Sequence, residues 1–322
     1  MAVPRRTLLT GIASGLVAAG AGPPVGLGRR RVLHVRPGGS VQAAVDAVQG
    51  VGWTIVVHPG TYREVVNIPA EAGELTLRGA TRDPRDVVIV HDNANGTQKP
   101  DGSGTYGTAG SATFTSAAPG LTVRDLTLAN DWLRADHPEI TGTQAVAAYV
   151  TGDRSRFQYF SHCYIEGDVD FVFGRATAVF ADCHFHTLQR DVAFTPKGMV
   201  FAPSTARANP HGILAVRSLI TSGAEDAAYK LARPWVPSYE TTAWPSLVVR
   251  DSRIGPGIDP VAPYTNMRDA YPWQSMRFAE YRNTGPGSVI TVPENRPQLA
   301  PTEAALHTPA AYLGDWRPVR SF

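Results

Sequence analysis

The sequence predicts an all-β protein wound as a single-stranded parallel β-helix, with an N-terminal capping helix and a C-terminal tail. Three observations carry this. Short β-type runs recur along the chain without crossover helices between them, unlike the alternation of a βαβ protein. Several runs share one frame: two or three apolar residues, a small polar residue or cysteine, then another apolar residue. Asp125, Cys183, Ser218 and Asp251 hold the small polar position. Such a strand–turn–strand repeat suits coils that stack on their neighbours. The 31 glycines and 26 prolines in 322 residues favour the many turns that coils need. A β-sandwich would require antiparallel hairpins, and two-residue Asn-Gly or Asp-Gly turns are few.

Taken in order, the chain opens on a targeting segment, residues 1–28. Arg5-Arg6 precedes a short apolar core and an Ala/Gly-rich run, the pattern of a secretory signal. The paired arginines suggest the twin-arginine route, although Pro4 is not the usual Ser or Thr. A single-pass anchor is the alternative, weakened by the glycines and the short core. Residues 29–322 read as one domain. Residues 40–48 form the first helix, with Ser40 as cap and Val41, Ala44, Val45 and Val48 at helical spacing. Strands follow at Thr54-Ile55-Val56-Val57, Leu75-Thr76-Leu77, Val87-Val88-Ile89-Val90 and Leu121-Thr122-Val123-Arg124-Asp125-Leu126-Thr127-Leu128. Others fall at Ala178-Val179-Phe180-Ala181-Asp182-Cys183-His184-Phe185, Ile213-Leu214-Ala215-Val216-Arg217-Ser218 and Leu247-Val248-Val249-Arg250-Asp251-Ser252. Two short helices, 302–306 and 309–313, belong to a tail packed along the outside, with Trp316 as its anchor.

Composition excludes several classes. Hydrophobic residues make up 43% and charged residues 18%, which is globular, and the net charge of +2 offers no field for nucleic acid. Cys163 and Cys183 are the only cysteines, so a cysteine-based zinc module is excluded. They lie about one coil apart and could stack as a disulfide or as buried free thiols. No Gly-x-Ser-x-Gly elbow and no His-Glu-x-x-His motif is present, and no metal or other cofactor is expected.

The chemistry centres on Ile165-Glu166-Gly167-Asp168-Val169-Asp170-Phe171-Val172-Phe173-Gly174. Two carboxylates, Asp168 and Asp170, sit in an apolar strand, where i and i+2 point to one face. A solvated strand face carrying two acids is the bland alternative.

Three further segments accompany it: Gly142-Thr143-Gln144-Ala145-Val146-Ala147 ahead of Gly152-Asp153-Arg154, then Ala232-Arg233-Pro234-Trp235, then Glu280-Tyr281-Arg282-Asn283-Thr284-Gly285. With Pro59-Gly60-Thr61-Tyr62-Arg63-Glu64 and Ala202-Pro203-Ser204-Thr205, this ordered set resembles the pectin methylesterases, from about residue 35 to residue 316. The resemblance implies a right-handed parallel β-helix, secretion, and hydrolysis of galacturonate methyl esters in pectin with release of methanol. It implies Asp170 as nucleophile, Arg233 as its ionising and orienting partner, and Gln144 as a donor to the oxyanion. It places Trp235, Thr113 and Phe171 at the substrate. The expected partner is pectin, with neither nucleic acid nor membrane after export, and the protein is expected to act as a monomer.

One departure stands against these matches. The family pattern carries a Gln-Asp-Thr-Leu segment between the Gln144 and Asp170 motifs, whose aspartate is the proton donor and whose glutamine is the main oxyanion donor. Here Gly152-Asp153-Arg154 runs almost directly into Gln158-Tyr159-Phe160 and Cys163, so about one coil, on the order of 20 residues, is absent. Ala232 also stands where the family usually has glycine. The loss should bring Gln144 next to the coil of Asp170 and leave Asp168 as the only nearby spare acid. Asp168 is a poor substitute, since i and i+2 carboxylates lie about 6.5 Å apart along a strand. The rival functional class is a pectin-binding β-helix that has lost turnover.

Overall fold

A computed structural model describes residues 31–151, 157–190 and 192–318. Residues 1–28, expected from the sequence to direct export, and the Gly152-Asp153-Arg154 motif lie outside the described residues. From Arg31 onward the chain winds as a right-handed parallel β-helix of three sheets with nine, seven and six strands. One coil runs Leu121–Arg124, Thr127–Asn130, Ala148–Val150. The next runs Phe157–Ser161, Tyr164–Gly167, Val169–Gly174.

The recurring frame is two adjacent ladders rather than one. At the turn from the first sheet to the second, Asp125, His162, Asp182, Arg217, Asp251 and Arg282 all take a left-handed conformation, with φ between 49° and 58°. The kink turns the following residue inward. Ser218 Oγ accepts from Cys183 N at 3.2 Å, Ser252 Oγ from Ser218 N at 3.0 Å, and Asn283 Oδ1 from Ser252 N at 3.1 Å. Each small polar side chain thus satisfies a backbone donor that the turn leaves unpaired. Asp125 and Asp251 belong to the outer ladder, Cys183 and Ser218 to the inner. Cys163 and Cys183 are free, buried thiols of this inner ladder.

Inside, equivalent positions stack. Ile55, Leu77, Val123, Phe160, Phe180, Ala215 and Val249 follow one another in register. The Phe160 and Phe180 rings stack at 4.5 Å, and Ala215 above them leaves them room. The column ends on buried Glu280, which accepts from Arg296 Nε at 2.8 Å and Tyr264 Oη at 3.0 Å. The Glu280 motif is therefore structural, closing the interior with a paired charge.

The other end is closed by helix Val41–Ala47, whose cap Ser40 accepts from Ala43 N. Glu64 accepts from Val41 N at 2.7 Å and Gln42 N at 3.1 Å, which gives the Pro59-Gly60 motif its role. At the C-terminus, Tyr312 and Leu313 cover Val179, Leu214 and Val248 on the outer face of the first sheet, and Trp316 stacks on Phe157 at 6.5 Å.

The short connection after Gln144 is closed without a gap. Ala148, Tyr149 and Val150 pair directly with Val172, Phe173 and Gly174, and Phe157–Ser161 lies directly on Leu121–Arg124. No coil intervenes between those of Gln144 and Asp170.

Candidate active site

The third sheet builds the candidate site on its outer face. Strand Val169–Gly174 carries a one-residue irregularity, a register shift against Gly198–Pro203 between Val169 and Val172. Asp170 sits in it with φ 56°. A left-handed non-glycine residue in a bulge re-aims its side chain and changes the phase of the strand after it.

That phase change corrects one expectation. Phe171 points into the interior cluster and is wholly buried, so it offers no surface to a sugar. Phe173 instead lies on the outer side of the sheet, buried in a second cluster, stacked on half-buried Tyr149 at 4.8 Å and tilted against half-buried Trp235 at 4.7 Å. Trp235 is in turn 6.4 Å from Tyr239, which is 70% exposed. Tyr149, Phe173 and Tyr239 were not singled out by the sequence. Their signal was the third-sheet register, which pairs Tyr149 with Phe173.

Asp170 meets Arg233 in a two-pronged ion pair. Arg233 Nε donates to Oδ1 at 2.9 Å and Nη2 to Oδ2 at 2.6 Å. The Asp170 side chain has no exposed surface, and that of Arg233 keeps 14%. Burial alone would lower the Arg233 pKa, but the charge and hydrogen bonds of Asp170 outweigh it and hold it raised. The partners come from strands two coils apart, and Ala232-Arg233-Pro234-Trp235 is fixed by Arg233 N bonding Phe201 O and Trp235 N bonding Pro203 O. Gly174 lets the sheet close here. A Cβ there would lie 1.8 Å from Val150 O, and its φ is 140°.

Gln144 lies one coil away, since Ala147 N bonds Phe171 O at 3.1 Å. Its Oε1 accepts from Asn95 Nδ2 at 2.9 Å, which leaves Nε2 as the donating end. Gly142 and Gly96 pack backbone to backbone beside it, where a Cβ on Gly142 would meet Gly96 N at 2.8 Å. Thr113 is one coil further off and wholly buried, with Oγ1 3.5 Å from His91 O; it is not brought to the carboxylate.

Asp168 does not share the site. Its Oδ1 accepts from Tyr229 Oη at 3.2 Å, and its Oδ2 lies 2.7 Å from Arg190 Nε, in ion-pair contact but off the hydrogen-bond line. It reaches Tyr229 across Gly198, where a Cβ would lie 2.4 Å from Asp168 O and 2.6 Å from Tyr229 Cε1. Burial pushes its pKa up to about 7, against Arg190 and Tyr229, with the Asp170 charge adding to the rise. The i, i+2 spacing is thus spent on two separate arginines. No cluster of His, Cys, Asp and Glu suited to a metal occurs among the described residues.

Known proteins agree with this architecture. The Pectinesterase family model matches residues 149–315. A pectinesterase of Ralstonia solanacearum is 32% identical over 307 residues, covering 77% of this chain and 76% of its own. Pectinesterase A of Dickeya dadantii (strain 3937) is 32% identical over 317 residues, covering 83% of each. Among solved structures, a pectin methylesterase in complex with a hexasaccharide superposes with a TM-score of 0.71 at 28% identity, over 88% of this chain and 94% of that one. With this identity spread over most of both chains and the fold shared, the chain belongs to the pectinesterase family.

Proposed function

We propose that the protein hydrolyses galacturonate methyl esters of pectin, and that Asp170 is the nucleophile. The observation that carries this is the left-handed Asp170 clasped by Arg233 beside the Tyr149–Phe173–Trp235 band. An arginine fork keeps a carboxylate ionised and aims it. Phe173 is itself buried and backs Tyr149 and Trp235, whose half-buried rings supply the flat apolar surface on which sugar rings pack.

In the reaction, an Asp170 oxygen attacks the ester carbon and the carbonyl oxygen becomes an oxyanion. Gln144 Nε2 donates to it. The tetrahedral centre collapses, the bond to the methoxy oxygen breaks, and the departing oxygen takes a proton from water. A second water then hydrolyses the acyl-enzyme, returning ionised Asp170 and a galacturonate carboxylate; of the two protons it releases, one neutralises the hydroxide left by the first water and the other goes to solvent. Asp170 has no exposed surface, so side chains around it must give way as the ester enters.

Methanol release from methylated pectin tests the assignment. The wild type should turn over and Asp170→Ala should not. Equal release from the two proteins removes Asp170 as nucleophile, and pectin binding without release by the wild type leaves a binding protein. We also propose export through the Arg5-Arg6 segment and action as a monomer. Among the described residues no helix is long and apolar enough to cross a membrane. Fractionation of an expressing host and the mass of the mature protein in solution check both.

A further inference from the structure

The outer face of the first sheet carries a hollow of about 1000 Å³, away from the Asp170 site on the third sheet. Arg78, Arg82, Arg124 and Arg217 line it, with Tyr159 and Trp316. Arg78 and Arg124 are register partners on adjacent strands. That sets like charges side by side, on backbones about 4.8 Å apart.

Among the described residues, the acids nearby do not balance these cations. Arg217 is matched by Asp182, at 2.9 and 2.7 Å. Asp125 is the acid facing Arg124, and it stands 3.8 Å from Arg124 Nε without a hydrogen bond. The Arg124 side chain keeps only 14% of its surface. Burial lowers the Arg124 pKa; Asp125 opposes this, and Arg78 and Arg82 add to the lowering. Burial likewise raises that of Asp125 against the charges of Arg124, Arg78 and Arg82. A group of guanidiniums held together in this way is costly for the folded protein alone and is relieved by an anion. The net charge of the whole chain is only +2, so the positive character is local rather than a general field for nucleic acid.

We propose that this hollow is a second carbohydrate site, which binds de-esterified uronate chains. Arginine forks match sugar carboxylates two oxygens at a time. Half-buried Trp316 lines the hollow beside the arginines and gives a sugar ring an aromatic edge to pack against. A uronate polymer carries one carboxylate per sugar, so it presents a row of anions to the Arg78–Arg124 row. The polymer's identity rests on the proposed pectinesterase reading: these carboxylates are what ester hydrolysis leaves behind. The protein would then hold its own product on one face while the Asp170 groove meets esterified sugar on another.

The test uses the full-length protein carrying Asp170→Ala, so that nothing turns over. Titration calorimetry measures a fully de-esterified galacturonate hexamer, its fully methylated counterpart and dextran sulfate. The de-esterified hexamer should bind in a salt-sensitive manner. Arg78→Gln with Arg124→Gln should weaken it at least about tenfold and leave the methylated hexamer unchanged. Arg82→Gln, on an exposed residue, should weaken it about threefold and serves if the double variant does not fold. Three results overturn the proposal: no loss in these variants, equal loss for both hexamers, or dextran sulfate held as tightly as the de-esterified hexamer. If the arginines hold the de-esterified hexamer while the wild type neither binds methylated hexamer nor releases methanol, the uronate site stands and the esterase reading falls.

Discussion

Cutting the Asp170–Arg233 pair from its two sides should cost different amounts. Arg233→Ala strands a carboxylate that has no exposed surface. Breaking a buried pair in this way costs about 3–5 kcal/mol. Asp170→Ala strands a guanidinium that keeps 14% of its surface, through which water can reach one edge. Its cost should fall nearer ~2–3 kcal/mol, and it also relieves the left-handed backbone at that position only if the new residue can leave it. The double variant removes both charges and loses only packing and the fork itself. The three should therefore be non-additive by ~2–4 kcal/mol. Arg233→Lys keeps the charge but replaces the planar fork by a point donor, and should recover only part of the loss. Urea unfolding of the full-length protein, followed by circular dichroism and by tryptophan fluorescence near Trp235, measures each arm. A loss below ~1 kcal/mol for Arg233→Ala, with no coupling in the cycle, is the behaviour of an exposed pair. That result would refute the sealed geometry on which the nucleophile assignment is built.

Gln144→Ala should lower kcat for methanol release by about 10²–10³-fold with little change in KM, as loss of an oxyanion donor does; a change confined to KM would make Gln144 a binding residue. Asp168 titrates near 3.9 in an unfolded chain and at about 7 in the folded one. The folded state therefore holds more protons between these values, and stability should fall as pH rises from about 4 to about 7, by on the order of 3 kcal/mol from this group. Asp168→Asn should flatten that slope in urea midpoints measured across the window, and an unchanged slope assigns it to other groups. Gly174→Ala places a methyl against Val150 O, a backbone atom, at positive φ. It should cost at least ~2–3 kcal/mol and displace Phe173, read as a fall in melting temperature; a neutral effect would mean the Ala148–Val150 pairing is wrong.

The solenoid was legible because its evidence is repetitive. Apolar runs such as Thr177–Ala181 and Ile213–Val216 recur with the same inward residues, and many coils reinforce one period. The capping helix was readable from Ser40 and its spacing. Less accessible was anything set by a single kink. The left-handed turns split one apparent frame into an outer Asp125–Asp182 ladder and an inner Cys183–Ser218 ladder. The bulge at Asp170 put Phe171 inside and Phe173 outside, although both look alike in the sequence. Asp168 looked like a companion to Asp170 because strand parity is a local rule, whereas its partners Arg190 and Tyr229 come from later coils. The Asp170–Arg233 pairing could be expected only through the family resemblance, because nothing local links residues 63 positions apart.

The shortened solenoid bears differently on the two halves of the proposed reaction. Coils contact only their neighbours, so the sheets re-pair across the junction, and Ala147 N still bonds Phe171 O at 3.1 Å. Loss of a coil brings Gln144 closer by one spacing, about 4.8 Å, into the coil beside the nucleophile. An oxyanion donor is therefore available. Among the described residues a proton donor is not supplied in the same way, because Asp168 is sealed against Arg190 and Tyr229. On the proposed roles, turnover should depend steeply on how well the departing oxygen leaves unprotonated. A nitrophenyl ester of galacturonate should react faster than the methyl ester by up to the 10²–10⁴-fold that general acid assistance typically contributes. No described residue supplies a positioned base for deacylation either, so the nitrophenyl ester should show a burst of nitrophenol equal to the enzyme, followed by a slow steady state. Stopped-flow absorbance reads both phases. Equal rates for the two esters without a burst would mean that a positioned acid–base group serves the site after all, and that water is not the proton source.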